Sequence, residues 1–191
     1  MLKDVFCDVI LPDDGGTVRV ELLRIPTEDD LLLCKMCAFA TEGKDTDVLP
    51  TDEWLRERMI KPRHSPIREL KFVFCFTNLP AYISTHFARH IHARPYIQSQ
   101  RNDRQSKYDR RKASQDAPVT MIWSMEAEEL MIVMNKRLCA MADPATRAVA
   151  TAICDLVAPR APYIAPSLVP MCEYLGGICY EAKGCGKAVK A

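Results

Sequence analysis

The sequence predicts an α+β fold in a single domain, and three observations carry that expectation. The chain has 191 residues, of which 48% are hydrophobic and 27% charged, enough for one real core. Phe72, Phe74 and Phe76 alternate with Val73 and Cys75, so both faces of this segment are apolar and it reads as a buried strand. Around it lie several runs with helix-cap chemistry at their starts.

Taken in order, Thr17–Arg24 alternates at its start and reads as a strand. Thr27 then offers an N-cap, and Glu28, Asp29 and Asp30 place acids in the first turn, where the helix dipole favours them. That helix runs to about Thr41, with Gly43 and Asp45 ending it. Thr51, Asp52 and Glu53 open a second helix, stopped before Pro62. After the aromatic strand, Pro80 opens a helix carrying Ile83, Phe87 and Ile91, ending before Pro95. A polar, basic stretch extends to Pro118. Ser124 caps a long helix over residues 125–142, and Pro144 starts another reaching Ala158. Residues 1–165 read as the main domain, and residues 166–191 as a Cys- and Gly-rich tail.

Net charge is +1, which gives no support to a broad nucleic-acid or membrane-surface role. No apolar stretch approaches the ~20 residues of a transmembrane helix. The first residues lack a signal-peptide pattern, so a cytoplasmic location is expected. Nine cysteines without a secretory signal favour reduced thiols or a metal site over a disulfide framework.

Chemistry concentrates in the central segment. Residues 85–104 hold four arginines, three histidines, one serine and two glutamines. Arginine supplies a planar fork that fits phosphate or the carbonyl edge of a base, and Ser and Gln can complete such a pocket. A solvated basic loop explains residues 107–112 well. It explains Arg89 and His90 poorly, because they follow directly on apolar Phe87 and Ala88.

Cys172, Cys179 and Cys185 lie in a tail whose Gly176, Gly177, Gly184 and Gly186 let it fold back. Three thiolates could hold zinc or part of an iron–sulfur cluster. A fourth ligand would come from Cys34, Cys37, His64 or another subunit. A mobile reduced tail is the bland alternative. Cys34, Cys37, Cys75, Cys139 and Cys154 read as core residues, as do Trp54 and Trp123.

Arg89-His90-Ile91, followed by Ser99 and Arg101, has the spacing of the Arg-His-Arg…Ser-x-Arg signature of flavin-dependent thymidylate synthases. His64-Ser65-Pro66 precedes the aromatic strand as a similar segment does in that family. Ile122-Trp123-Ser124 leads towards Arg137, and Arg147 follows, resembling the family's later arginines. Over residues 17–158 the chain therefore resembles a divergent member of that family.

The resemblance implies a central mixed or antiparallel sheet flanked by helices, and a homotetramer whose sites combine residues of several subunits. It implies reductive methylation of a pyrimidine deoxynucleotide, dUMP to dTMP, with methylenetetrahydrofolate as carbon donor, FAD as hydride carrier and NADPH as its reductant. Arg89, Gln98, Ser99, Arg101, Arg137 and His86 would bind substrate, with Ser99 and Arg137 closest to the chemistry. His64, His90 and Arg89 would meet the cofactor. Arg110 or Arg111 would add a phosphate contact.

The sequence departs from that pattern at named places: Ile91 for Arg, Ile97 for Glu, His86 for Gln, Asn102 for Tyr and Asp143 for Gln. Glu126 and Glu128 stand where the family has Asn and Arg. Two other readings therefore stay open: a different pyrimidine nucleotide, such as a deoxycytidine nucleotide, and a nucleotide- or RNA-binding relative without methyl transfer.

Overall fold

The computed structural model describes residues 5–13, 15–99, 101, 109 and 112–191. Gln100, Asn102, Arg110, Arg111 and most of residues 107–112 lie outside the described residues.

Five strands form one antiparallel sheet in the order β1-β2-β3-β5-β4. They are β1 (Phe6–Ile10), β2 (Thr17–Arg24), β3 (Lys71–Pro80), β4 (Arg94–Ile97) and β5 (Pro118–Glu126). The period-2 pattern of three strands builds one apolar face. Val18, Val20 and Leu22 of β2, Phe72, Phe74 and Phe76 of β3, and Met121, Trp123 and Met125 of β5 are all essentially inaccessible. Register brings them together: Phe74 stands between Leu22 and Trp123, and Phe76 between Val20 and Met121. Burying each such side chain contributes roughly 1.5–3 kcal/mol. The opposite face of β3 is less covered than its apolar sequence predicts: Val73 and Cys75 are only half-buried.

Three helices pack on the sheet, α3 (Ala81–Ala88), α4 (Ala127–Arg137) and α5 (Pro144–Val157), while α1 (Glu28–Ala40) packs against the 3-10 turn Ser65–Glu69. The start of α1 is closed by a capping box in which Thr27 and Asp30 exchange side-chain and backbone bonds. The predicted second helix begins as α2 (Asp52–Trp54) and continues as a π-helical turn, Leu55–Ile60. It is followed by Arg63 in a left-handed conformation, φ 52°. That conformation is held by bonds from Arg63 to the Tyr174 hydroxyl (3.0 Å) and to Asn135 Oδ1 (2.6 Å).

Two expectations fail at helix ends. The helix after Pro80 is only α3 (Ala81–Ala88), and Ile91 stands 85% exposed outside it. Residues 94–97 instead pair with β5, where Pro95 is tolerated because β4 is an edge strand. Ser124 caps nothing: β5 runs through it to Glu126, and the helix starts at Ala127. The alternation of buried Val119, Met121, Trp123 and Met125 outweighs the cap chemistry of a single serine. Strand β1, with Ile10 83% exposed, also has no counterpart in the sequence reading.

Beyond α5 the chain runs through a short 3-10 turn, Ala165–Ser167, to α6 (Met171–Tyr174) and a two-stranded parallel pair, β6 (Ile178–Cys179) with β7 (Val189–Lys190). Buried Asn135 of α4 ties this tail down, donating to the Ser167 and Val169 carbonyls at 3.3 and 2.7 Å. Among the described residues no helix is long and apolar enough to cross a membrane.

Candidate nucleotide site

Helix α3 is placed by its apolar side. A bulge in β3 at Asn78, φ 60°, turns the chain into the helix; Asn tolerates this left-handed backbone. Ile83 and Phe87 are fully buried. The Phe87 ring lies 4.7 Å from Trp123 and 5.9 Å from Phe76, so the helix end is clamped to the sheet. His86, Arg89 and His90 are thereby presented where α3 meets α4 and α5.

His86 Nδ1 lies 2.8 Å from Thr146 Oγ1. The Thr146 hydroxyl is also 2.8 Å from Asp143 Oδ2 and donates to it, since a carboxylate can only accept. Thr146 must then accept from His86, which assigns the imidazole proton to Nδ1. Nε2 is left as an acceptor in the neutral ring. Asp143 also accepts from the Thr146 amide at 2.8 Å and so caps α5. Two departures from the family pattern, His86 and Asp143, are thus bonded to each other through one threonine. Burial, then the Arg137 charge, hold the His86 pKa below its usual value.

Arg137 is the last residue of α4, where the helix dipole favours a cation. Its Nη2 donates to the His86 carbonyl at 2.5 Å and so satisfies one of the orphan carbonyls ending α3. Its Nε is buried with no hydrogen-bond partner among the described residues. Burial, then the neighbouring Arg89 charge, lower the Arg137 pKa. Arg89 itself is exposed at the helix end.

His90 is almost enclosed, its side chain 11% exposed. Burial, then Arg137, push its pKa down to about 4. Its ring is therefore neutral at neutral pH, and the 3.7 Å approach of Nδ1 to Glu129 Oε1 is no ion pair there. Nε2 is buried without a partner among the described residues. Glu129 is 4% exposed, and burial pushes its carboxyl pKa up. It borders a cavity of about 430 Å³ with Arg68, His92, Glu126, Glu128 and Ile132.

The second half of the predicted segment lies on the other side of α3. Gln98 extends the β4–β5 ladder: its amide donates to the Thr120 carbonyl at 2.8 Å, and its Oε1 accepts from the Thr120 amide at 3.0 Å. Ser99 Oγ accepts from the Arg101 amide at 3.3 Å. Gln98 and Arg101 border a cavity of about 310 Å³ with Ser84, Thr85, Ile97 and Val119.

The structure therefore gathers His86, Arg89, His90 and Arg137 into one cluster, and sets Gln98, Ser99 and Arg101 beside a different face of the same helix. His64 joins neither. It lines a separate cavity of about 280 Å³ with Phe39, Trp54 and Arg58. Glu129 and Thr146 were missed by the sequence reading, because a Glu in a helix's first turn and a Thr in another's look like ordinary capping chemistry. Among the described residues, Cys172, Cys179 and Cys185 included, no three His, Cys, Asp or Glu are gathered closely enough to hold a metal. Cys34 is buried in the core, as expected. Cys37, Cys75 and Cys139 are corrections: all three stand outside the core, and Cys139 borders a cavity at the tail.

No protein-family model matches the sequence, and no curated protein matches it. Among solved structures, the chain is similar to thymidylate synthase X from Helicobacter pylori, crystallised with FAD and dUMP at 2.31 Å resolution. The TM-score is 0.60 at 12% identity, with 78% of this chain and 98% of that chain covered. At that identity the likeness is one of fold.

Proposed function

We propose that this chain binds a pyrimidine deoxynucleotide such as dUMP, the ligand of its structural neighbour, at the cluster formed by α3, α4 and α5. One observation carries the reading. Two buried nitrogens of the cluster, Arg137 Nε and His90 Nε2, have no protein partner among the described residues, beside the exposed guanidinium of Arg89. A buried polar atom without a partner costs about 1–3 kcal/mol, which a ligand carrying oxygens would relieve. Arg137 and His86 then address the base edge, and Arg89 the phosphate.

The second reading is flavin-dependent methylation of that nucleotide, with FAD, NADPH and methylenetetrahydrofolate. The fold and the neutral, enclosed His90 favour it. The residues do not fit the whole of FAD, however. Its pyrophosphate needs cations, and the positions that match the family's Asn-x-Arg are Glu126 and Glu128, which with Glu129 border the 430 Å³ cavity. The cations there are already engaged: Arg68 with Glu128 at 2.7 Å and Arg94 with Glu126 at 3.1 Å. FAD binding is accordingly weaker than nucleotide binding.

The expected homotetramer is part of this reading, since exposed Arg89 leaves the site open to completion by a second subunit. Thermal shift against dUMP, dCMP, dTMP, FAD and short single-stranded RNA tests the reading. Stabilisation by a pyrimidine deoxynucleotide supports it; stabilisation by RNA alone replaces it with the RNA-binding alternative.

A further inference from the structure

Four cysteines from four different parts of the chain border one cavity of about 180 Å³. Cys139 follows α4, Cys172 lies in α6, Cys179 in β6 and Cys185 in the loop between β6 and β7. The backbone wraps around them. The Gly177 amide donates to the Cys172 carbonyl at 2.8 Å, the Val189 amide to the Gly177 carbonyl at 2.9 Å, and the Ala191 amide to the Cys179 carbonyl at 3.0 Å. Gly184 passes so close to Cys179 that a Cβ there would lie 3.8 Å from its sulfur.

A second observation is independent of the cysteines' position. Among the described residues Cys179 is the only buried one after Leu168. Leu175, Ile178, Tyr180 and Val189 are exposed. A segment with no apolar core of its own does not hold a fixed path by burial, and small coreless segments are ordinarily held by disulfides or a metal. All nine cysteines are free thiols in this structure, so no disulfide does this.

We propose that Cys139, Cys172, Cys179 and Cys185 are the ligands of a thiophilic metal centre, a zinc ion or an iron–sulfur cluster, that fastens the tail to the end of α4. The four residues border a common space without being drawn into a ligand set, so binding pulls α6, the β6–β7 loop and the α4 end together. Each thiol gives up its proton as its sulfur bonds to the metal, so binding releases protons and strengthens as pH rises. Cys34 and Cys154 are unsuited: burial pushes both thiols up to about 12. The sequence reading named three of these ligands and looked elsewhere for the fourth; Cys139 supplies it. This site does not rest on the proposed nucleotide function.

The test is elemental analysis of the full chain, purified without oxygen. One zinc per chain assigns a zinc site. Iron with matching acid-labile sulfide and a visible absorption band assigns a cluster. Cys139→Ser and Cys172→Ser should each lose the metal, while Cys34→Ser keeps it. Because a serine variant can fail for want of folding, wild-type protein is also titrated with a mercurial thiol reagent while its circular dichroism is followed. Metal should leave in step with modification of four thiols, the sheet and main helices staying folded. Metal-free wild-type protein, a disulfide among the four cysteines, or full metal retention by Cys139→Ser would each overturn the assignment.

Discussion

Replacing Arg137 by Met separates a ligand-binding role from a structural one. In the ligand-free protein the substitution removes the 2.5 Å bond to the His86 carbonyl and strands an acceptor at the end of α3. That loss costs about 1–3 kcal/mol. It is offset because the methionine no longer buries a cation, a burden already visible in the lowered pKa of Arg137. Net stability should therefore change by about 1 kcal/mol or less, a shift of roughly 2–4 °C in Tm for a chain of this size. Nucleotide binding has no such offset. A hydrogen bond to a charged group contributes about 1.5–3 kcal/mol, so the Kd for dUMP should rise about 10- to 100-fold. Arg137→Lys keeps the charge and loses the fork, and should recover only part of the affinity. Calorimetric titration with dUMP and differential scanning calorimetry supply the two numbers. An unchanged Kd refutes contact between Arg137 and the nucleotide. A Tm loss large enough to account for the weaker binding would instead make the residue structural.

Three further outcomes follow from the same contacts. A base whose folded pKa, about 4, lies below its unfolded 6.5 costs stability as pH falls through that window, about 3 kcal/mol in all for His90. Glu129, its pKa raised by burial, works in the opposite sense, and Arg137 stays charged throughout, so the measurement is wild type against His90→Gln by denaturant unfolding between pH 4 and 7. The variant should lose the extra slope; parallel curves would mean that His90 is not buried neutral. Phe87→Ala removes the ring clamped between Trp123 and Phe76 and should cost about 3–5 kcal/mol in urea unfolding, with nucleotide affinity lost at temperatures where the variant is still folded. Asn135→Ala leaves the Ser167 and Val169 carbonyls without their donor and should cost about 2–4 kcal/mol; a loss below half a kilocalorie would show that the α4–tail link carries no weight.

Much of the fold could be read from local pattern, because its strongest determinants are local. The Thr27–Asp30 capping box and the Phe72-Phe74-Phe76 alternation each place an element within a few residues. The failures share one cause. Ile91 continues the spacing of Ile83 and Phe87, and nothing nearby shows that residues 94–97 are claimed by β5. Ser124 resembles a cap, but its residue pair across the ladder is Val73, about fifty positions earlier. Non-local pairing decides both. The site divides in the same way. Arg89, His90 and Arg137 could be found by residue type and spacing. The bond chain from His86 through Thr146 to Asp143, and the meeting of Cys139 with the tail, exist only once distant segments are packed.

The central claim is nucleotide recognition by the α3–α4–α5 cluster. Isothermal titration of the full chain with dUMP, repeated at low and high salt, tests it most directly. The account predicts saturable binding, one nucleotide per chain, weakened by salt because cations meet the phosphate, and abolished or strongly reduced in Arg137→Met. Absence of binding by dUMP and dCMP at millimolar concentration, in protein shown to be folded, would contradict it.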